Sequence, residues 1–228
     1  MGRVTRSIVN PVPDADPALS AGGSPRPDLE RWNERFGGED YLFGTEPNAF
    51  LCAHRQLLQP GHKALAIADG EGRNGVWLAE QGLDVVSIDF SPVALSKARE
   101  LARRRGVMLT TELADVETWA WEADRYDVVA AIFIQFAGPE LRDAIFRGIR
   151  RTLVPGGLLL IQGYRPEQLR YGTGGPPCAE NMYTAAMLRT AFADLEILRL
   201  EEHDSMMREG QGHDGMSALV DLVARKPT

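Results

Sequence analysis

The stretch that decides the fold is Leu65-Ala-Ile-Ala-Asp-Gly-Glu-Gly-Arg-Asn-Gly75. A short apolar run leads into glycines, and a segment with helical character follows. Gly70 and Gly72 have no Cβ atom, so a ligand can come close to the main chain there. The helix that begins near Asn74 offers unpaired N–H groups to an anionic group. The stretch therefore predicts a strand–loop–helix unit that binds a ligand.

Asp89 follows this loop, nineteen residues after Gly70, at the end of the next apolar run. A carboxylate in that place can accept hydrogen bonds from the two hydroxyl groups of a ribose. Gly70, Gly72 and Gly75 also match the dinucleotide-binding pattern GxGxxG. The loop and Asp89 together predict a crevice that binds adenosine, without choosing between NAD and S-adenosylmethionine.

Strand-like and helix-like segments alternate on both sides of the loop, as in a parallel sheet covered on both faces. The right-handed crossover rule then gives a doubly wound α/β fold. Two final apolar segments have only a loop between them and should pair antiparallel, which makes seven strands in a mostly parallel sheet with a C-terminal antiparallel hairpin. The predicted strands are Lys63–Ala68, Asp84–Asp89, Val107–Leu113, Tyr126–Phe133, Leu158–Gln162, Leu195–His203 and Met216–Ala224.

The N-terminal part divides into two regions. Residues 1–27 are rich in Pro, Gly, Ala and Ser and lack apolar periodicity, which predicts a flexible extension. Residues 28–228 are predicted to form one domain, whose first part, 28–60, is a helical cover. Helices are expected from Asp28 to Phe36 and from Pro47 to about Leu58.

Composition restricts the partners. The formal net charge of −7 argues against a nucleic acid or an anionic membrane as the main partner. No apolar run is long enough to span a membrane. Cys52 and Cys178 are far apart in sequence, so we expect neither a disulfide framework nor a metal cluster, and we expect a cytoplasmic location. A monomer and a homodimer both fit.

Three features favour S-adenosylmethionine over NAD. Asp115 and Val116 follow the third strand, where a carboxylate can accept from the adenine amino group and a main-chain N–H can meet a ring nitrogen. The passage from helix to strand through Leu153-Val-Pro-Gly-Gly157, with the closing hairpin, suits a methyltransferase sheet. The sequence shows no hydride-transfer pair such as Tyr-x-x-x-Lys.

Residues 32–226 resemble the class I methyltransferases and, among them, the tellurite-resistance-like branch that acts on small molecules. The resemblance implies S-adenosylmethionine as cofactor and in-line methyl transfer to a small acceptor, a thiol or a chalcogen oxyanion among the candidates. The matching segments are 32–36, 41–48, 69–74, 88–92, 113–115, 163–168 and 171–176. The implied cofactor-binding residues are Tyr41, Ala68, Asp69, Gly70, Gly72, Arg73, Asp89, Phe90, Asp115 and Val116.

The chain departs from the class at two positions in the loop. Ala66 and Ala68 stand where the class usually has Asp and Gly. We expect Ala68 to be tolerated if its φ angle is negative. We hypothesise that Asp69 replaces the lost carboxylate by facing the cofactor ammonium.

On the acceptor side, Tyr164 follows strand 5 and His213 lies between strands 6 and 7, and both are candidate catalytic residues. Tyr41, with Trp32 and Phe43, either closes over the cofactor or fastens the N-terminal helices to the domain. Two other functions stay open: an NAD(P)-dependent oxidoreductase, and a protein that binds S-adenosylmethionine without catalysis.

Overall fold

A sheet of seven strands organises the protein in a computed structural model that describes residues 27–228. The strands are β1 (Lys63–Ile67), β2 (Asp84–Asp89), β3 (Thr110–Leu113), β4 (Tyr126–Ile132), β5 (Leu153–Tyr164), β6 (Glu196–Glu209) and β7 (His213–Arg225). Their order across the sheet is β3-β2-β1-β4-β5-β7-β6. Strands β1 to β5 run parallel, and β7 is antiparallel to both β5 and β6. The predicted fold class is confirmed.

Helices flank the sheet, and the local sequence explains their ends. They are α1 (Pro27–Phe36), α2 (Ala49–Ala53), α3 (Arg73–Glu80), α4 (Pro92–Arg105), α5 (Pro139–Thr152) and α6 (Ala185–Ala191). The Ser91 hydroxyl accepts from Ala94 N at 3.1 Å and caps α4, and Gly106, with a φ angle of 70°, ends it. The second predicted helix is shorter than expected. The Asn48 side chain accepts from Leu51 N and caps its start, and a 3₁₀ turn, Arg55–Leu57, replaces its last part.

Apolar side chains of the central strands point alternately to two buried faces. Leu65 and Val129 lie in a cluster with α5 and α6, while Ala64 and Leu160 lie in a second cluster with α2 and α3. A fully buried Leu or Val stabilises the fold by about 2 kcal/mol. The two clusters therefore hold the carboxyl ends of β1, β2, β4 and β5 in fixed positions at one edge of the sheet.

The closing hairpin is longer than the sequence predicted. Tyr164, the last residue of β5, pairs with Leu219, and Leu219 pairs with His203. Residues 204–218 therefore extend past the end of β5, and we call them the hairpin overhang. The prediction that His213 lies in a loop is wrong, since His213 is the first residue of β7. The overhang places it above the carboxyl edge of the sheet.

The predicted N-terminal extension overlaps the described residues at one position. The proposed flexible extension, 1–27, lies outside the described residues except for its last residue, which begins α1. From residue 27 onward, no helix has the length and apolar character needed to cross a membrane.

Candidate functional site

The glycine loop between β1 and α3 is shaped by close packing. Gly70 and Gly72 have φ angles of 59° and 85°, in the region that favours glycine. A Cβ atom on Gly72 would lie 2.6 Å from Ala98 Cβ, and one on Gly75 would lie 2.4 Å from Asp69 Oδ2. The glycines therefore let α3 pack against α4 and let the Asp69 carboxyl approach the start of α3.

Ala68 does not have the negative φ angle that we expected. Its φ angle is +47°, not negative, so the main chain keeps a conformation that suits glycine although the residue is alanine. An L-residue in this region costs about 1 kcal/mol or slightly more. Ala66, at 1% exposure inside β1, puts no carboxylate near the loop.

The Asp69 carboxyl forms hydrogen bonds within the fold. Its Oδ2 atom accepts from Gly75 N at 3.1 Å and from the Ser87 hydroxyl at 2.9 Å. Burial raises the pKa of this carboxyl to about 7, against the opposing effect of these two donors. Asp69 thereby links the first turn of α3 to β2, and its role toward a cofactor ammonium stays a prediction.

Asp89 stands at the end of β2 with a fixed carboxylate. Its Oδ2 accepts from Gly70 N and its Oδ1 from Ser91 N, both at 2.9 Å. Burial raises the pKa of Asp89, while these N–H groups and that of Phe90 act in the opposite direction. Each carboxylate oxygen has a second lone pair, so the group can still accept from two ribose hydroxyls.

The segment after β3 lies beside Asp89, because Leu113, the last residue of β3, pairs with Asp89. Asp115 organises the turn: its Oδ1 accepts from Glu117 N at 3.0 Å, and its main-chain oxygen accepts from Trp119 N at 2.8 Å. Val116 is buried. The structure thus brings the predicted adenine-binding pair to the same edge as the predicted ribose-binding residue.

The N-terminal cover, residues 28–60, lies on the glycine loop. The Phe36 ring is 3.5 Å from where a Cβ of Gly70 would stand, and Phe36 is 3% exposed. Lys97 of α4 donates to Phe36 O at 3.0 Å and forms an ion pair of 2.6 Å with Glu71. Glu71 also accepts from Leu42 N at 2.7 Å. The cover is therefore fastened directly to the loop.

Tyr41 takes part in this fastening. Its hydroxyl donates to Lys97 O at 3.0 Å, and the Arg104 guanidinium lies 5.0 Å from its ring centre. Trp32 stacks on Phe36 with ring centres 5.2 Å apart. These contacts favour the alternative in which the aromatic residues fix the cover, and a contact of Tyr41 with the cofactor stays a prediction.

The two candidate catalytic residues come together. Tyr164 and His213 have ring centres 5.7 Å apart, and Phe133 lies 4.8 Å from the first and 4.4 Å from the second. Phe43 of the cover lies 4.5 Å from His213. Burial raises the pKa of Tyr164 and lowers the pKa of His213, so both side chains are neutral near pH 7.

The sequence analysis missed Glu209, the charged centre of this region. Its carboxylate pairs with Arg73 at 2.6 Å and accepts from Asn48 Nδ2 at 3.1 Å and Ala49 N at 3.2 Å. Burial alone would raise the pKa of Glu209, but the neighbouring His213 imidazole and the charge of Arg73 lower it to about 2. The sequence signal for Glu209 was its spacing of four residues from His213. Because both residues were expected outside a strand, that spacing did not predict a contact between them.

Arg73 carries a donor that the fold leaves unused. Its side chain is buried, and within residues 27–228 its Nη1 atom has no hydrogen-bond partner. A buried guanidinium N–H without a partner is costly, and Arg73 stands at the first position of α3, next to the glycine loop. The position fits an anionic group of a bound ligand.

A second polar network lies farther along the hairpin. His203 Nε2 is 3.2 Å from Asp221 Oδ2, and Gln162 Nε2 donates to Asp221 Oδ1 at 2.7 Å. Gln162 Oε1 in turn accepts from Asn48 Nδ2 at 2.7 Å. These bonds connect the cover to β5 and β7 below the candidate site.

Comparison with known proteins agrees with this geometry. Residues 64–157 match the sequence model of a family described as "Methyltransferase domain". The fold is similar to that of the N-methyltransferase NodS from Bradyrhizobium japonicum, solved with S-adenosyl-L-homocysteine, with a TM-score of 0.64 and 14% identity over 88% of this chain and 98% of that one.

Residues 64–157 thus match a methyltransferase domain, and the chain shares the Rossmann-like fold of S-adenosylmethionine-dependent methyltransferases. Among curated relatives of the chain, "Hemagglutinin 1" of Eikenella corrodens is 26% identical over 72% of this chain and 55% of its own length. "Ribosomal protein L11 methyltransferase" of Symbiobacterium thermophilum is 33% identical over 53% of this chain and 38% of its own length. The chain thus spans about half the length of these relatives or less. The narrower resemblance to the tellurite-resistance-like branch stays a prediction.

Proposed function

We propose that the protein transfers the methyl group of S-adenosylmethionine to a small molecule. The observation that carries the proposal is the Asp89 carboxylate, held at the end of β2 by the N–H groups of Gly70 and Ser91 beside a glycine loop. This arrangement presents two acceptor oxygens to a ribose at the crevice where α/β sheets bind ligands.

The cofactor-binding roles follow from position. Asp89 holds the ribose, with Phe90 against the adenine, and Asp115 and Val116 meet the adenine edge. The unpartnered Arg73 Nη1 receives the carboxylate of the methionine end. The main chain of the loop approaches the cofactor closely at the positions we assign to it, Ala68, Asp69, Gly70 and Gly72.

Catalysis in this proposal depends on alignment and exclusion of water. Bound S-adenosylmethionine supplies a methyl group on a positive sulfur, whose thioether product is neutral and needs no acid. Phe43, Phe133 and Tyr164 form an aromatic wall around the acceptor position. A dry, shaped site of this kind holds the reacting atoms in line. Tyr164, kept protonated by burial, donates a hydrogen bond that orients the acceptor.

The acceptor is small in this proposal, because the loop that follows β5 closes over Tyr164. A Cβ atom on Gly175 would lie 2.8 Å from the Tyr164 ring, and one on Gly174 would lie 3.2 Å from its hydroxyl. We propose a thiol or a chalcogen oxyanion, on the resemblance to the tellurite-resistance-like branch. The net charge of −7 supports a small-molecule partner over a nucleic acid.

The wider proposal is a domain of residues 28–228, with its cover at 28–60, that acts in the cytoplasm as a monomer or homodimer. Isothermal titration calorimetry with S-adenosylmethionine, S-adenosylhomocysteine and NADH tests the function. We expect the first two ligands to bind and NADH not to bind. Binding of NADH alone would replace the proposal with the oxidoreductase alternative. Binding without turnover on thiols, selenite, tellurite and small amines would favour the non-catalytic alternative.

A further inference from the structure

Glu209 and His213 face each other within the hairpin overhang, on either side of its turn. The distance from Glu209 Oε2 to His213 Nδ1 is 3.8 Å, and both side chains are about nine-tenths buried. Within residues 27–228, Nδ1 has no hydrogen-bond partner. The carboxylate is thus the polar group placed to receive a proton carried by Nδ1.

The rings of His213 and Tyr164 meet edge to face, with an angle of 83° between their planes. A Cβ atom on Gly174 would lie 3.2 Å from that hydroxyl and 3.8 Å from His213 Cδ2, the carbon bonded to Nε2. Gly174 has a φ angle of 126° and no side chain, and the Gly212 carbonyl oxygen lies 2.8 Å from where its Cβ atom would stand. The buried Tyr164 hydroxyl has no partner in the described part of the chain. The Tyr164 hydroxyl and the Nε2 side of the His213 ring therefore both border Gly174.

We propose that Glu209 is a positioning residue that keeps the His213 proton on Nδ1 and leaves the Nε2 lone pair free as the base for a proton-bearing acceptor, a thiol or a hydroxyl. The inference rests on the proposed methyl transfer and deepens it. Of the two acceptor classes named above, it selects the thiol over the oxyanion, which carries no proton that needs removal. The logic is that of a base oriented by an acid.

The charges around His213 suit this role. Burial lowers the pKa of His213, and the positive charges of Arg73 and Arg35 act in the same direction, while the Glu209 carboxylate raises it. Tyr164 is neutral because burial raises its pKa. The imidazole therefore begins the reaction neutral, and the imidazolium that forms is stabilised by a carboxylate already in place.

The step balances in atoms and charge. A lone pair of the acceptor sulfur or oxygen forms the bond to the methyl carbon, and the bond between that carbon and the sulfonium sulfur breaks with its electron pair left on sulfur. The acceptor proton passes to His213 Nε2. The positive charge of the sulfonium thus ends on the imidazolium, beside Glu209, until the proton leaves to solvent.

The test measures the His213 tautomer, which needs no acceptor. Long-range ¹H–¹⁵N correlation spectra of the untagged full chain separate the two neutral tautomers and the imidazolium for each of its four histidines. The variant His213→Asn identifies the signal. We expect wild-type His213 in the Nδ1–H form. In Glu209→Gln we expect the Nε2–H form to appear and the pKa of His213 to fall by about 1 unit. Glu209→Asp, which keeps the charge, should retain the Nδ1–H form.

His203 and Asp221 provide a matched control on the same hairpin. Asp221→Asn should change the His203 signal and leave His213 unchanged, since His203 Nε2 lies 3.2 Å from Asp221. A wild-type His213 in the Nε2–H form would overturn the inference, even if Glu209→Gln failed to fold. An unchanged tautomer in a folded Glu209→Gln would also overturn it. Titration of the same samples with S-adenosylhomocysteine reports separately on the proposed function.

Discussion

The two halves of the site are built on different principles. In the cofactor half, at the ends of β1, β2 and β3, main-chain N–H groups hold the key carboxylates, as Gly70 and Ser91 hold Asp89. In the acceptor half, side chains from distant segments hold one another, as Asn48 and Glu209 do across 161 residues. The first half depends on loop geometry and the second on charge and aromatic packing. Substitutions should separate them.

Gly72→Ala should have the largest effect, because it disturbs the conformation of the glycine loop in the cofactor half. The new Cβ would stand 2.6 Å from Ala98 Cβ and 2.9 Å from Ala98 Cα, at a φ angle of 85°. We expect a loss of about 3 kcal/mol in the free energy of unfolding and a loss of S-adenosylhomocysteine affinity of about 100-fold or more.

Gly106→Ala is the control for that change. Its φ angle is 70°, but no atom lies within 4 Å of the added Cβ, so it should cost only about 1 kcal/mol and leave affinity unchanged. Urea denaturation and calorimetry measure both quantities. Equal costs for the two variants would show that packing against α4 does not shape the loop.

Asp89→Asn should have the next largest effect, on affinity and also on stability, because its NH2 group would face the N–H of Gly70 or of Ser91. The amide keeps one acceptor oxygen and loses the charge, and a hydrogen bond to a charged group contributes about 1.5–3 kcal/mol. We expect S-adenosylhomocysteine to bind roughly 10- to 100-fold more weakly by calorimetry. Asp84→Asn, at the exposed opposite end of β2, should leave affinity unchanged. If both variants bind like wild type, the ribose contact is not at Asp89.

Asp69→Asn should change how stability depends on pH. The folded-state pKa of Asp69, about 7, lies above the ordinary value of 3.8, so the folded protein binds more protons between these values and the ionised carboxyl destabilises it as pH rises from 4 to 7. The amide can accept from Gly75 N and donate to Ser87 Oγ without a charge. We expect it to be more stable than wild type at pH 8 by on the order of 2 kcal/mol, with little difference at pH 4.

Urea denaturation at the two pH values checks the Asp69 prediction. If the variant were less stable than wild type at pH 8, the carboxylate would be a favourable ionised group in the fold. S-adenosylhomocysteine affinity, measured on the same samples, separates this structural role from a contact with the cofactor ammonium.

Tyr164→Phe should have the smallest effect on the folded protein, and it tests the acceptor half alone. A buried hydroxyl without a partner is costly, so its removal should leave the free energy of unfolding unchanged or raise it by up to about 1 kcal/mol. Affinity for S-adenosylhomocysteine should stay at the wild-type value. Tyr183→Phe, which removes a hydroxyl that donates to Ile134 O, should cost about 1 kcal/mol. A drop in affinity for Tyr164→Phe would place Tyr164 in the cofactor half.

The comparison also explains what the sequence could predict. The strand–loop–helix unit and Asp89 are local patterns, and apolar periodicity located every strand of the parallel sheet. The hairpin overhang was missed because residues 204–209 are mostly polar and half of them exposed, so no apolar alternation marks them as a strand. The contact of Glu209 with Arg73 joins distant segments and leaves no local signal. The φ angle of Ala68 is set by the tertiary fold and not by its residue type.

Nucleoside binding at Asp89 is tested most directly by a crystal structure of the protein with S-adenosylhomocysteine. We expect ribose hydroxyls within hydrogen-bond distance of the Asp89 carboxylate and adenine beside Asp115 and Val116, with Phe36 moved from its contact with Gly70. A nucleoside bound elsewhere, with Phe36 still packed on the glycine loop, would contradict it.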